Sequence, residues 1–276
     1  MEEEQKYPPQ GINPLTQQAG DEPLAGGVAD QMLAVSSAVD ERAGSQDTVA
    51  LDEEQVKDEI DIQVDLLSDP DWVVRREAVI TLGEMGDERC VEPLARALRD
   101  GDWQVREVAI EAMGQVGSPA VETLLKLLRD WEVRKYAIAA LGKIRDERVL
   151  DPLMLQLRND EFKDDAIDAL VVLGEPSVER LIGALRDKDE NVRKCAVLAL
   201  GRIKSGEAID PLIGMLGDKD WFTRLTAAAA LESIGDERGR EAMKPLLKDS
   251  DMVVKMRVER ILAKWKKQPI SQSANA

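Results

Sequence analysis

The strongest constraint on this chain is that it repeats itself. From residue 55 onward a basic side chain returns at Arg75, Arg106, Arg134, Lys163, Arg193, Arg224 and Lys255, at intervals of 31, 28, 29, 30, 31 and 31 residues. Around each one, the positions one before, three after and seven after are mostly apolar, as in Val74, Ala78 and Leu82 or Val192, Ala196 and Leu200. Four-residue spacing puts such a triplet on one stripe of a helix. The small central side chain lets a neighbouring helix come close, and the leucine fills the space a turn later. Four residues ahead of the basic position stand Asp71, Asp102, Asp130, Asn159, Asp189, Asp220 and Asp251. Each can accept from the free amides of a first helical turn, and the aspartates also suit the positive end of the helix dipole. Gly86, Gly117, Gly174 and Gly235 stand at the far ends, where a left-handed residue is wanted. A second, shorter helix is expected after each, with Pro93, Pro152, Pro211 and Pro245 in or near its first turn, where a missing amide is tolerated.

With a first short helix at residues 55–67, the pattern amounts to fourteen helices in seven antiparallel pairs, ending near residue 267. One pair cannot bury its apolar stripe alone. Stacked pairs share a continuous core in which each unit touches only its neighbours, so residues 55–267 are predicted to form an all-α solenoid. Residues 268–276 read as a flexible end. Residues 1–54 have another character: twelve acidic residues stand against Lys6 and Arg42, a balance of −10 within a total of −17. Rich in proline and glycine and poor in large apolar residues, this stretch is predicted to be a disordered acidic tail. Within it, residues 28–42 space Val28, Met32, Val35 and Val39 as a helix would, either as a transient helix or as a docking motif.

Composition removes whole classes of chemistry. The chain has no histidine, so Ser-His-Asp and Cys-His nucleophiles, zincin helices and the usual zinc fingers are excluded. Strong acidity argues against nucleic acid and anionic lipid as partners, because both need cationic surface. No apolar run approaches the roughly 18 residues of a membrane span, and the acidic start is unlike a signal peptide. A cytoplasmic location is therefore expected. Cys90 and Cys195, far apart and without companions, read as small packing residues.

The segment DPDWVVRREAVITLGEMGDERCVEPLARALRD, residues 69–100, carries the full motif: Asp, Val-Arg, Ala, Leu-Gly, Gly-Asp-x-Arg and Glu-Pro-Leu. It resembles the HEAT-like repeat of the phycobilisome-lyase type. The resemblance implies that the Val-Arg helices line a concave face. It also implies a structural ladder of Asp71, Asp102, Asp130, Asp189 and Asp220 with Arg75, Arg106, Arg134, Arg193 and Arg224. Asn159 and Lys163 depart from that pattern, so the ladder is expected to weaken in the fourth repeat. Activities found among such proteins include bilin attachment, deoxyhypusine hydroxylation and plain protein binding. The hydroxylase uses His-Glu motifs to hold iron, which this chain lacks.

Trp72, Trp103, Trp131 and Trp221 share one repeat position, three residues before the basic one. They either anchor a partner, as tryptophans in binding hot spots do, or pack on the seam between repeats, the plainer expectation. Arg76, Glu107, Glu111, Lys135, Lys143, Asp164, Asp168, Lys194 and Arg202 should point away from the core. Ion pairing between repeats accounts for most of them. Asp160, Asp164 and Asp168, beside Glu161 and Asp165, form an acidic face in the fourth repeat. A divalent cation, a basic partner segment, or neutralisation by Lys135, Lys143, Lys194 and Arg202 are the three readings, the last favoured. The expected function is a scaffold or adaptor that binds a partner protein on the concave face, with Trp72, Trp103, Trp131, Trp221, Arg76, Lys135, Asp164 and Asp168 as candidate contacts. The alternative is a bilin-lyase-like protein or an accessory subunit of an enzyme complex. No catalytic residue, cofactor or metal ligand is assigned.

Overall fold

A computed structural model describes residues 57–265. The predicted acidic tail, its 28–42 stretch and the end at 268–276 lie outside the described residues. Among those described, the chain forms fourteen α-helices and no strand. Seven first helices are α1 (Glu59–Leu66), α3 (Val91–Ala97), α5 (Val121–Leu127), α7 (Leu150–Gln156), α9 (Glu175–Ala184), α11 (Ile209–Met215) and α13 (Glu237–Met243). Seven second helices alternate with them: α2 (Trp72–Met85), α4 (Trp103–Val116), α6 (Arg134–Leu141), α8 (Lys163–Leu173), α10 (Glu190–Ile203), α12 (Trp221–Ile234) and α14 (Met252–Trp265).

Helix entry is controlled by an Asp-x-Asp step. In Asp100-Gly101-Asp102 the first carboxylate accepts the Asp102 amide at 2.8 Å, and Asp102 accepts the Gln104 amide at 2.8 Å, satisfying a donor of the first turn. The same step recurs at Asp69 and Asp71, Asp187 and Asp189, Asp218 and Asp220, and Asp249 and Asp251. Ahead of α6 and α8 the linker is two residues shorter, reading Leu128-Arg129-Asp130 and Leu157-Arg158-Asn159. Asp130 and Asn159 still accept the amides of Glu132 and Glu161. Without the first aspartate, however, these helices open only at Arg134 and Lys163, about one turn late. The exits follow expectation at Gly86 and Gly235, which are left-handed, whereas Gly117 and Gly174 combine positive φ with ψ of -136° and -131°, an extended conformation open to glycine. α10 instead exits through Lys204, at φ 62°.

Pro93, Pro152 and Pro211 sit third in α3, α7 and α11, near their starts. Pro245 does not. It lies in a 3-10 turn, Lys244–Lys248, after α13 has already run from Glu237. Counted from the capping residue (Asp87, Asp146, Ser205 or Asp236), this proline is displaced by three residues relative to the others, so it ends a helix rather than beginning one.

The core runs through the stack without a break, with Leu82, Leu98, Met113, Leu141, Leu170 and Leu181 fully buried along it. Second helices of successive repeats pack more closely than first helices do, the arrangement expected where second helices form the inner layer of a solenoid. Glycine permits the closest approaches. A Cβ on Gly142 would lie 2.7 Å from Cβ of Ala169, and one on Gly201 would lie 2.6 Å from Cβ of Ala230. On α14 the stacking stripe of Val79, Ile110, Ile138, Ile167, Val197 and Ala228 is continued by the exposed Glu259.

Candidate functional site

Between repeats the structure replaces the expected acid of the ladder. Arg75 donates to Asp100 at 2.7 and 2.8 Å, Arg193 to Asp218 at 2.9 and 3.2 Å, and Arg224 to Asp249 at 2.8 and 2.7 Å. The partner is thus the first aspartate of the next repeat's Asp-x-Asp step. The capping aspartates Asp71, Asp102, Asp189 and Asp220 turn toward their own helix amides instead. Each of these arginines also donates to the carbonyls of its own linker, as Arg193 does to Asp187 at 3.0 Å. The guanidinium donors hold Asp100 and Asp249 below the usual carboxylate range. At Asp218 burial pushes upward, yet Arg193 and the Asp220 amide outweigh it and the net direction is down.

The rungs break earlier than the fourth repeat, because Leu128 and Leu157 occupy the first-aspartate position opposite Arg106 and Arg134. Arg106 lies over the Tyr136 ring at 5.4 Å and Arg134 over the Phe162 ring at 4.9 Å. Nε of Arg106 is buried with no hydrogen-bond partner. Asp130 pairs instead with Arg99 of the preceding linker at 2.8 Å. A second, exposed set of bridges joins the starts of first helices through their Asp-Glu-Arg turns: Arg89 to Asp58, Arg148 to Glu122 and Arg238 to Asp210.

On the inner face, seam packing describes only Trp72, which is half-buried against the core. Trp103, Trp131 and Trp221 are 62%, 70% and 42% exposed. They stand on the rim where α4 and α12 begin and where the turn into α6 lies, so the expectation of packing is overturned for three of the four. Arg76 pairs with Glu77 on its own helix, and Lys135 lies 4.8 Å from the Tyr136 ring.

In the fourth repeat the neutralising cations divide. Arg202 pairs with Asp168, and Lys163 with Asp160. Lys143 serves Glu111, and Lys194 serves Glu190 and Asp220, so neither answers this acidic face. Asp164 remains exposed beside it. Burial, with Asp168 and Asp164 adding repulsion, raises Asp165 despite Lys135. No group of three or more His, Cys, Asp or Glu among the described residues is arranged to hold a metal ion. Both thiols are buried, and burial pushes each upward, away from thiolate chemistry.

Among outward positions on the second helices, the charged ones named from the sequence end at Arg202 in the fifth repeat, with Trp221 beyond them. The same offsets reach Phe222 and Leu225 on α12 and Met252, Val253, Met256, Arg260 and Lys264 on α14. Phe222 packs edge-on to Trp221 with centroids 5.6 Å apart. Phe222, Met252, Val253 and Met256 are exposed, where the fourth repeat carries Asp160, Glu161 and Asp164. The repeat period alone was the signal that could have found them.

A family model described as HEAT repeats matches residues 60–130, 91–174, 155–219 and 178–263. The chain belongs to the HEAT-repeat family. Among solved structures, this HEAT array is similar to human deoxyhypusine hydroxylase, at 22% identity over 76% of this chain and 85% of that one, with a TM-score of 0.38. It is also similar to the complex of CpcE and CpcF of phycocyanin lyase from Nostoc, at 20% identity over 80% and 99%, TM-score 0.36. A computationally designed armadillo repeat protein for modular peptide recognition matches at 22% identity over 73% and 98%, TM-score 0.31. These likenesses concern the fold alone. No curated protein matches the sequence. No helix among the described residues is long and apolar enough to cross a membrane.

Proposed function

We propose that this HEAT array is an adaptor that binds a partner protein along its inner face. The observation that carries the reading is the exposure of Trp103 and Trp131, 62% and 70% open at neighbouring repeat positions. Large, stiff aromatic side chains left in water on a rigid scaffold are the kind of group that anchors protein interfaces. The middle of the face adds a charge pattern to this row, with Asp164 and Asp168 on α8 and Lys135 on α6 as selective contacts. Buried, unpaired cysteines suit a reducing compartment, and the cytosol is the proposed setting.

The test is a quantitative pull-down from native lysate with the intact chain and with the Trp103→Ala/Trp131→Ala variant, helicity being checked by circular dichroism. Loss of one identified partner from a folded variant supports the adaptor. Retention of every partner at the same level overturns the inner face as its binding site.

A further inference from the structure

The C-terminal two repeats carry a surface unlike the rest of this acidic chain. On α14, Met252, Met256, Arg260 and Lys264 follow one another at four-residue spacing, so one outward stripe is apolar at its N-terminal half and cationic at its C-terminal half. Twelve residues of helix extend about 18 Å at the standard rise. Alongside, α12 adds to the apolar half with Trp221, Phe222 and Leu225, and its later positions are the small, uncharged Ala229 and Ser233. Where the two helices end, a cleft of about 470 Å³ is lined by Lys204, Arg257, Arg260, Lys264, Glu232 and Ser233 among others. Glu232 is already engaged by Arg257 at 2.9 Å and Lys264 at 3.3 Å. Arg260 and Lys204 have no ion-pair partner among the described residues.

This surface is not required by stacking. The equivalent positions in the fourth repeat, Asp160, Glu161, Asp164 and Asp168, are charged and exposed in the same fold, so apolar residues here stabilise nothing that the array needs. Nor does stacking on α14 explain it, because the stripe equivalent to the stacking positions is the one that carries Glu259. Among the described residues, four basic side chains and one acidic one on α14 stand out in a protein with a net charge of −17.

Resting on the adaptor reading and deepening it, we infer that α12 and α14 bind a partner's acidic amphipathic segment, its apolar end on Trp221, Phe222 and Met256 and its carboxylates at Arg260, Lys264 and Lys204. An apolar groove read by a few anchors, with charge setting orientation, is the physics of helix-in-groove recognition. About three turns of partner helix would span the stripe.

Fluorescence anisotropy with the full chain tests this. The probe is a labelled 16-residue peptide with leucines in one half and glutamates in the other, and its control replaces every glutamate with lysine. The expected result is saturable binding of the glutamate peptide, weakened by salt, and none of the lysine peptide. Arg260→Glu/Lys264→Glu should weaken binding by at least tenfold, as should Met256→Glu, with circular dichroism unchanged; the charge-reversed variant should gain the lysine peptide. Equal binding of both peptides, binding indifferent to these substitutions, or no binding at all overturns the inference. So does sedimentation showing dimers that Met256→Glu abolishes, since the occupant is then a second copy. These outcomes are separable from failure of the adaptor reading, which is scored by the pull-down with Trp103→Ala/Trp131→Ala at the other end of the face.

Discussion

The seams at the two ends of the array and those in its middle solve one problem in two ways. At Arg193 and Asp218 the two side chains are only 8% and 10% exposed and meet through paired hydrogen bonds. At Arg106 and Arg134, linkers shortened by two residues have removed the acid, and an aromatic ring lies beneath the cation instead. The conserved geometry is therefore that of the arginine tied to its own linker carbonyls, as Arg106 is to Asp100 at 2.6 Å and Arg134 to Leu128 at 2.6 Å. What crosses the seam is replaceable. A cation buried against water needs compensation, and either a carboxylate or the face of a ring provides some of it.

The strongest way to break this comparison is Asp218→Ala. It leaves a buried guanidinium without its charge partner, a change that costs about 3–5 kcal/mol. Urea unfolding should show the loss, with amide exchange speeding first in α10 and α12. Asp218→Asn gives the same contrast in pH. The folded pKa of Asp218 lies below its unfolded value, so its contribution is present above the unfolded value near 4 and is lost as pH falls through the folded one. Asp100 and Asp249 behave alike. The acid limb of the stability profile should therefore flatten in Asp218→Asn, while Leu128→Asn, opposite an Arg106 that pairs with no carboxylate, should leave its slope unchanged.

Next in size is a change that should ignore the difference between seams. Gly142→Ala in the middle and Gly201→Ala near the end both push a Cβ into the neighbouring helix, at 2.7 and 2.6 Å. Overpacking of this kind costs about 1–3 kcal/mol, offset in part by the better helix propensity of alanine, worth about 1 kcal/mol. Similar losses at both positions would show that close helix approach holds the whole inner layer. A loss confined to Gly201 would mean that the middle is looser.

A smaller effect sharpens the comparison from the arginine side. Arg106 has a buried Nε without a partner and no carboxylate across the seam, so Arg106→Met removes an imperfectly satisfied cation and should cost no more than about 1 kcal/mol. Arg193→Met strands Asp218 and should cost several times as much. Equal losses in thermal or urea unfolding would sink the claim that the two seams differ.

Fold and site were unequally legible in the sequence. The helix pairs could be read because Ala78, Leu82 and their repeats obey a helical period, and the caps because Asp71 and Asp102 precede that period. The acid of the ladder was misplaced for a physical reason. Two aspartates stand two residues apart, and only three-dimensional geometry says that the first crosses the seam while the second caps the helix. The two-residue deletions that leave Leu128 and Leu157 in place of that acid were visible only as the shorter intervals of 28 and 29 residues. Pro245 was misread because motif similarity outweighed its distance from Asp236. Exposure was the least legible quantity of all. Trp72 and Trp131 share a position, yet one ring is half-buried and the other 70% exposed.

That last difference supports the smallest stability prediction and the most informative one about function. Trp131 stands on the shortened linker into α6, ahead of a helix that starts late, and its ring is mostly in water. Trp131→Ala should therefore change stability by less than about 0.5 kcal/mol. Trp72→Ala, whose ring packs against the core, should cost more than Trp131→Ala in the same urea titration. If the two are equally costly, Trp131 is a structural residue and the aromatic row loses its claim on a partner. If Trp131→Ala is silent in stability yet weakens partner capture, its exposure is a property retained for binding, beside the seam where Arg106 lies over a ring and not against a carboxylate.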